Sequence, residues 1–109
     1  MACEIDPTAR NIYECNHKPA LMFNDITGVK MEEIPTHDVL CAGFPCQPFS
    51  QAGFKKGFKN TRGTLFFNIL KILKHKRPQA FFLENVRHLK NHDDGKTFAV
   101  IKCKSFNLI

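Results

Sequence analysis

The sequence predicts an α/β protein, an incomplete parallel sheet with flanking helices, and three observations predict it. Residues 37–42 (HDVLCA) and 80–83 (AFFL) are apolar runs too short for helices, so each reads as a buried strand. Between them, residues 64–76 (TLFFNILKILKHK) repeat apolar side chains at helical spacing. Strand, helix and strand in that order is the signature of a parallel sheet covered on both faces. In such sheets ligands bind beyond the carboxyl ends of the strands. Glu4, Cys46 and Glu84 all fall at or just past such ends.

The elements run in order along the chain. Residues 2–5 are a short apolar stretch ending in the acidic pair Glu4 and Asp6. Asp6 suits an N-cap and Pro7 the first helical position, so a helix is expected over residues 7–17, ending before Pro19. Residues 22–26 read as extended, and 28–34 as a turn or short helical segment. The strand at 37–42 is closed by Gly43. Residues 43–63 are rich in turn formers: Pro45, Pro48, Gly53, Gly57 and Gly63. A loop of about twenty residues is uncommon in a compact domain and tends to be functional. In the helix over 64–76, Leu65, Ile69 and Ile72 form one apolar row, with Phe66, Leu70 and Leu73 beside it. Its basic last turn suits the helix dipole, and Pro78 stops it. The strand 80–83 ends in Glu84, and a last helix is expected over 96–106.

At 109 residues, with 43% hydrophobic and 24% charged side chains, the chain suits one small globular domain and not a disordered segment. The net charge of +6 is unevenly spread: residues 1–54 carry a net −4 and residues 55–109 a net +10. A basic half suggests a polyanionic partner, because Lys and Arg displace counterions from phosphate; a solvated basic face is the plainer explanation. The cysteines Cys3, Cys15, Cys41, Cys46 and Cys103 are odd in number and lack C-x-x-C spacing. A disulfide framework and a zinc knuckle are therefore not expected. Free thiols, with no apolar run of membrane-spanning length, make a cytoplasmic location the default expectation. His88 and His92 are four residues apart but have no third ligand, so no metal is assigned.

Cys46 lies in Gly43-Phe44-Pro45-Cys46-Gln47-Pro48-Phe49-Ser50. A free thiol is only about 3% thiolate at pH 7, so a nucleophilic cysteine needs help to ionise. A turn between two prolines would present the sulfur; a small buried cysteine is the ordinary alternative. The longer string decides between them. Phe44-Pro45-Cys46-Gln47-Pro48-Phe49-Ser50, after Asp38-Val39-Leu40-Cys41-Ala42-Gly43, resembles the catalytic motif of the cytosine-C5 DNA methyltransferases of restriction–modification systems. The resemblance continues in register. Arg62-Gly63-Thr64-Leu65-Phe66 and Glu84-Asn85-Val86 resemble two further motifs. Glu4-Ile5 and Asp25-Ile26-Thr27 resemble the two cofactor-contacting segments. It covers the chain from Cys3 to about Ile101.

That resemblance implies a partial Rossmann-like fold that binds S-adenosylmethionine. It implies that Cys46 adds to C6 of cytosine, making the ring an enamine that takes the methyl group at C5. Glu84 matches the residue that offsets ring charge at N3, and Asn85 accompanies it in the catalytic set. Glu4 would accept from the cofactor's ribose hydroxyls, Ile5 would pack on the adenine, and Asp25 would accept from the adenine amine beside Ile26. Pro45 and Leu65 complete the implied cofactor set. Read singly, each of these is an ordinary cap or core residue; their order relative to Cys46 raises them. The base must be flipped out of duplex DNA. Residues 47–63 match the loop that closes on that DNA, with Gln47, Ser50, Gln51, Lys55, Lys56, Lys59 and Arg62 suited to its backbone.

Other parts of the family pattern are not found: the glycine-rich first-strand motif, the Arg-x-Arg segment, the target-recognition domain and the C-terminal segment. The expectation is a partial catalytic domain over 1–109, truncated, frameshifted or one part of a split enzyme. Acting by itself it would have little methyl transfer activity, and a complementing methyltransferase fragment is a candidate partner. A non-catalytic remnant that binds nucleic acid weakly through its basic half is the competing reading. A thiol hydrolase fails because no histidine shares a recognisable context with Cys46. The transfer-RNA branch shares much of the motif set, but Gly43-Phe44-Pro45 resembles the DNA branch more.

Overall fold

A computed structural model describes residues 1–44, 64–92 and 94–106. The chain divides into two compact units, Met1–Pro35 and Thr36–Ile109. It is a small α/β structure of short parallel strand pairs and helices.

In the first unit, β1 (Ala2–Cys3) pairs in parallel with β2 (Met22–Phe23), Ala2 opposite Met22 and Cys3 opposite Phe23. The Ala2 N–H donates to the Leu21 carbonyl at 2.9 Å and the Glu4 N–H to that of Phe23 at 3.1 Å. The connection is α1 (Pro7–His17), which begins as expected. Asp6 is extended and its carboxylate accepts from the Ala9 N–H at 2.8 Å, satisfying a donor that the first turn leaves unpaired. The helix ends at Lys18, which turns left-handed (φ 44°) and donates its N–H to the Glu14 carbonyl; Pro19 cannot extend it. The extended stretch is shorter than the expected 22–26. It stops at Phe23 because the Asp25 carboxylate takes the Thr27 N–H at 2.9 Å and caps a 3₁₀ turn, Ile26–Gly28. A second 3₁₀ turn, Met31–Glu33, falls within the expected 28–34.

The second unit contains β3 (Val39–Gly43), α2 (Thr64–Lys76), β4 (Ala80–Glu84), a 3₁₀ turn (Arg87–Asn91) and α3 (Lys96–Phe106). Both helices keep the bounds expected from sequence. Helix α2 stops as Arg77 turns left-handed (φ 47°) ahead of Pro78. Strands β3 and β4 pair in parallel, Val39 opposite Ala80 through Gly43 opposite Glu84. Their starts are tied by Ala80 N–H to the Asp38 carbonyl at 3.0 Å and Gln79 Nε2 to Asp38 Oδ1 at 3.2 Å.

The core joins Phe44, Phe66, Ile69, Leu73, Leu89 and Ile101, with Leu40, Ala42, Phe81 and Leu83 packed against it. Helix α3 turns Thr97, Ile101 and Ser105 inward, four residues apart and so on one helical face. One expectation is corrected. The sheet is packed on one face only among the described residues: Val39, Cys41 and Phe82 alternate outward, Phe82 being 66% exposed. A continuous apolar run looks the same whether one face or two is covered, so the sequence alone could not distinguish them. The apolar rows of α2 supply Phe66, Ile69, Ile72 and Leu73 to the interior, and Asn68 is buried next to them.

Candidate active site

Each unit carries one cluster at the carboxyl ends of its strands. In Met1–Pro35 the register brings Glu4 and Asp25 just beyond the paired ends of β1 and β2. Glu4 Oε1 accepts from the Asp6 N–H at 2.9 Å, and the Glu4 carbonyl accepts from Arg10 Nη1 at 2.9 Å. Arg10 lies in the first turn or so of α1, and its clamp on Glu4 was not anticipated from the sequence. Asp25 Oδ1 takes both the N–H and the Oγ1 hydroxyl of Thr27, at 2.9 and 2.7 Å. Those bonds, the backbone one first, hold the Asp25 carboxyl below the usual carboxylate range. Asp25 is therefore a firm acceptor at neutral pH.

Cys3 lies near enough to both carboxylates to feel their charge. Burial first, then the charges of Asp25 and Glu4, push its thiol up. Ile5 stands open beside Glu4 at 71% exposure, while Ile26 is half-buried. The cluster thus offers two acceptors and an open apolar side chain.

In Thr36–Ile109 the second cluster gathers where β3 and β4 end. Glu84 lies directly opposite Gly43 and is exposed. The lack of a side chain at Gly43 makes room for it: a Cβ there would lie 3.2 Å from Glu84 Oε2. Asn85 Nδ2 donates to the Phe44 carbonyl across 41 residues of sequence, and Asn85 Oδ1 accepts from the Val86 N–H at 2.9 Å. Phe44 is buried, its ring 5.3 Å from that of Phe66. Leu65 is half-buried on the first turn of α2. Gly43 and the Phe44 carbonyl are working parts of this site that sequence reasoning missed. A glycine opposite a strand-end carboxylate was the available signal for the first; nothing local marked the second.

Cys46, Pro45, Gln47, Ser50, Gln51, Lys55, Lys56, Lys59 and Arg62 lie outside the described residues. Cys46 comes two positions after Phe44 in the chain. The basic charge also divides. Lys74, His75 and Lys76 close α2 and so lie toward the start of β4, away from Glu84. Arg87, His88 and Lys90 come after Glu84 on the 3₁₀ turn. Among the described residues no group of His, Cys, Asp and Glu could hold a metal ion, and no helix is long and apolar enough to cross a membrane.

A family model described as C-5 cytosine-specific DNA methylase matches residues 1–107. The chain belongs to the C-5 cytosine-specific DNA methylase family. Among its curated relatives in that family, the type II methyltransferase M.NlaX of Neisseria lactamica is 59% identical over 98 residues. M.HaeII of Haemophilus aegyptius is 56% identical over 103 residues, and M.HhaI of Haemophilus parahaemolyticus 50% over 101. These alignments take in 90%, 93% and 91% of this chain, but 31%, 31% and 30% of the relatives. The chain therefore spans about a third of the length of the methyltransferases it matches.

Proposed function

We propose that this chain is the catalytic segment of a DNA (cytosine-5-)-methyltransferase, a partial domain of a Rossmann-like, doubly wound fold. It would transfer a methyl group from S-adenosylmethionine to C5 of a cytosine flipped out of duplex DNA. The observation that supports this most is the bond from Asn85 to Phe44. It brings the Glu84-Asn85-Val86 motif against the strand end from which Pro45 and Cys46 continue.

The chemistry rests on the residue types. C5 of cytosine is too weak a nucleophile to take a methyl group unaided. The Cys46 thiolate forms a bond to C6, and the electron pair of the C5–C6 double bond moves into the ring. Glu84, beside that strand end, meets the charge that develops at N3. The cofactor supplies an electrophilic methyl group carried on a sulfonium. C5 would take that methyl as the methyl–sulfur bond breaks and a neutral thioether leaves; a base then removes the C5 proton, and the Cys46 sulfur departs as the double bond returns. Glu4 and Asp25 are acceptors that fit the cofactor's ribose hydroxyls and adenine amine, with Ile5 and Ile26 against the ring and Pro45 and Leu65 completing its contacts. Gln47, Ser50, Gln51, Lys55, Lys56, Lys59 and Arg62 hold the DNA backbone, with Arg87 and Lys90, on the turn that follows Glu84, adding basic charge.

The test supplies the rest of the enzyme. The chain is fused to the remaining two thirds of M.NlaX and offered duplex DNA bearing 5-fluorocytosine at the recognition site. Fluorine at C5 blocks the last elimination, so an adduct that survives denaturation is expected. Cys46→Ser should abolish it. Duplex binding with no adduct, or an adduct that persists in Cys46→Ser, would overturn the proposal; the first result would favour the non-catalytic, nucleic-acid-binding reading.

A further inference from the structure

We propose that Arg10 is a positioning residue for cofactor binding: its guanidinium sets the Glu4 carboxylate and acts only through it. This rests on Glu4 being the acceptor for the ribose hydroxyls in the proposed function. Strand β1 stops pairing at Cys3, opposite Phe23, and its last rung is the Glu4 N–H on the Phe23 carbonyl at 3.1 Å. A parallel ladder would next bring a backbone N–H to the Glu4 carbonyl. Arg10 Nη1 takes that place at 2.9 Å, part-buried and six residues further along the chain. The backbone N–H of the same residue donates to the Asp6 carbonyl at 2.9 Å. Arg10 therefore holds the corner from Glu4 to Asp6 at both of its ends.

What that corner fixes is the carboxylate. Glu4 Oε1 accepts from the Asp6 N–H at 2.9 Å, a bond closed over two residues. It lasts only while the intervening peptides keep their orientation. Asp6 is secured as the cap of α1, its carboxylate on the Ala9 N–H at 2.8 Å. The peptide between Glu4 and Ile5 lies before the helix, and the bond from Arg10 secures it. Without that bond the peptide can turn and the Asp6 N–H swings off the carboxylate. The part-buried Glu4 carbonyl is then short of a donor. Ile5, 71% exposed, turns with it. A carboxylate that takes neighbouring hydroxyls works best in one orientation, and ordering it before the ligand arrives shows as affinity. A guanidinium suits the task, since it is always charged and a charged donor makes a stronger bond than a neutral one.

The fusion enzyme with M.NlaX tests this, read by calorimetric affinity for S-adenosylhomocysteine, by KM for S-adenosylmethionine against kcat, and by duplex affinity. Arg10→Met keeps a long side chain that favours the helix but removes the donors. It is expected to weaken S-adenosylhomocysteine binding roughly tenfold and to raise the cofactor KM by a similar factor. Both kcat and duplex affinity should stay within about twofold of the parent. Arg10→Lys keeps a donor and should recover most of the loss. If Arg10→Met does not fold, Arg10→Gln, neutral and shorter, takes its place. An analogue of S-adenosylhomocysteine lacking both ribose hydroxyls separates positioning from support of α1. Arg10→Met should lose little affinity for it, whereas a damaged helix would weaken both ligands alike. In a Glu4→Ala background Arg10→Met should cost less than about twofold more, because the two side chains act as one unit. Unchanged affinity in Arg10→Met, equal loss for both ligands, or full additivity with Glu4→Ala would each overturn the inference. Glu4→Ala alone reports separately: if it leaves binding intact, the ribose role of Glu4 fails, whereas a weak Glu4→Ala beside a normal Arg10→Met defeats only the part given to Arg10.

Discussion

In Met1–Pro35 the carboxylates at the strand ends are fixed by neighbours two positions away, Glu4 by the Asp6 N–H and Asp25 by Thr27. In Thr36–Ile109 the corresponding end is fixed by a bond spanning 41 residues and by a buried phenylalanine pair. Helix α1 buries no residue, whereas α2 buries Phe66, Ile69, Ile72 and Leu73. The two units bring polar groups to equivalent places by different means, the first through local backbone chemistry and the second through tertiary packing. Local contacts let each polar group adjust separately, whereas a packed core fixes the groups it carries together.

The largest effect that could break this contrast is Phe66→Ala. Phe66 is almost wholly buried, and its truncation should cost roughly 3–5 kcal/mol of the stability of Thr36–Ile109. Hydrogen exchange should then show protection lost in β3, β4 and α2 and unchanged in α1. Equal loss in both units would mean that they do not differ in the way described. Next comes Asp6→Ala, which removes the cap of α1 and should cost about 1 kcal/mol. Its signature is faster exchange of the first-turn amides of α1, with those of α2 and α3 unmoved. The smallest effect sharpens the local side of the comparison. Burial and the charges of Asp25 and Glu4 favour the neutral Cys3 thiol, so its pKa is raised and less thiolate is present at a given pH. Removing either negative neighbour lowers that pKa. Glu4→Gln and Asp25→Asn should each speed alkylation of Cys3, resolved by peptide mass spectrometry, at about pH 8. The gain should fade once the pH passes the raised value, where the parent thiol is ionised too.

Much of the framework could be read from the amino acids, for reasons tied to particular residues. Pro7 after Asp6, Pro19 after Lys18 and Pro78 after Arg77 mark where α1 starts and where both helices stop, because a missing N–H and a fixed φ act locally. The parallel pairing of β3 with β4 was implied by two apolar runs flanking a helix. Other features were not legible. Asp25 cuts β2 short through its own side chain, and the same sequence would also suit a longer strand. Val39, Cys41 and Phe82 are as apolar as their inward neighbours, so nothing in them announces an open face. At the site, Glu84 and Asn85 were singled out by resemblance, but the partner of Asn85 is a backbone oxygen, and no side-chain pattern encodes that. Cys46, on which the proposed chemistry turns, was identified from sequence alone and lies outside the described residues.

The parallel arrangement of β3 and β4 also sets an order of events during synthesis. Two parallel strands cannot be joined by a tight hairpin, so everything between Gly43 and Ala80 must leave the ribosome before they can pair. Closing so long a stretch is a slow step compared with winding α1 or α2. Phe44 thus waits for its partner until Asn85 has been made, and the end of β3 is among the last of the described parts to take shape.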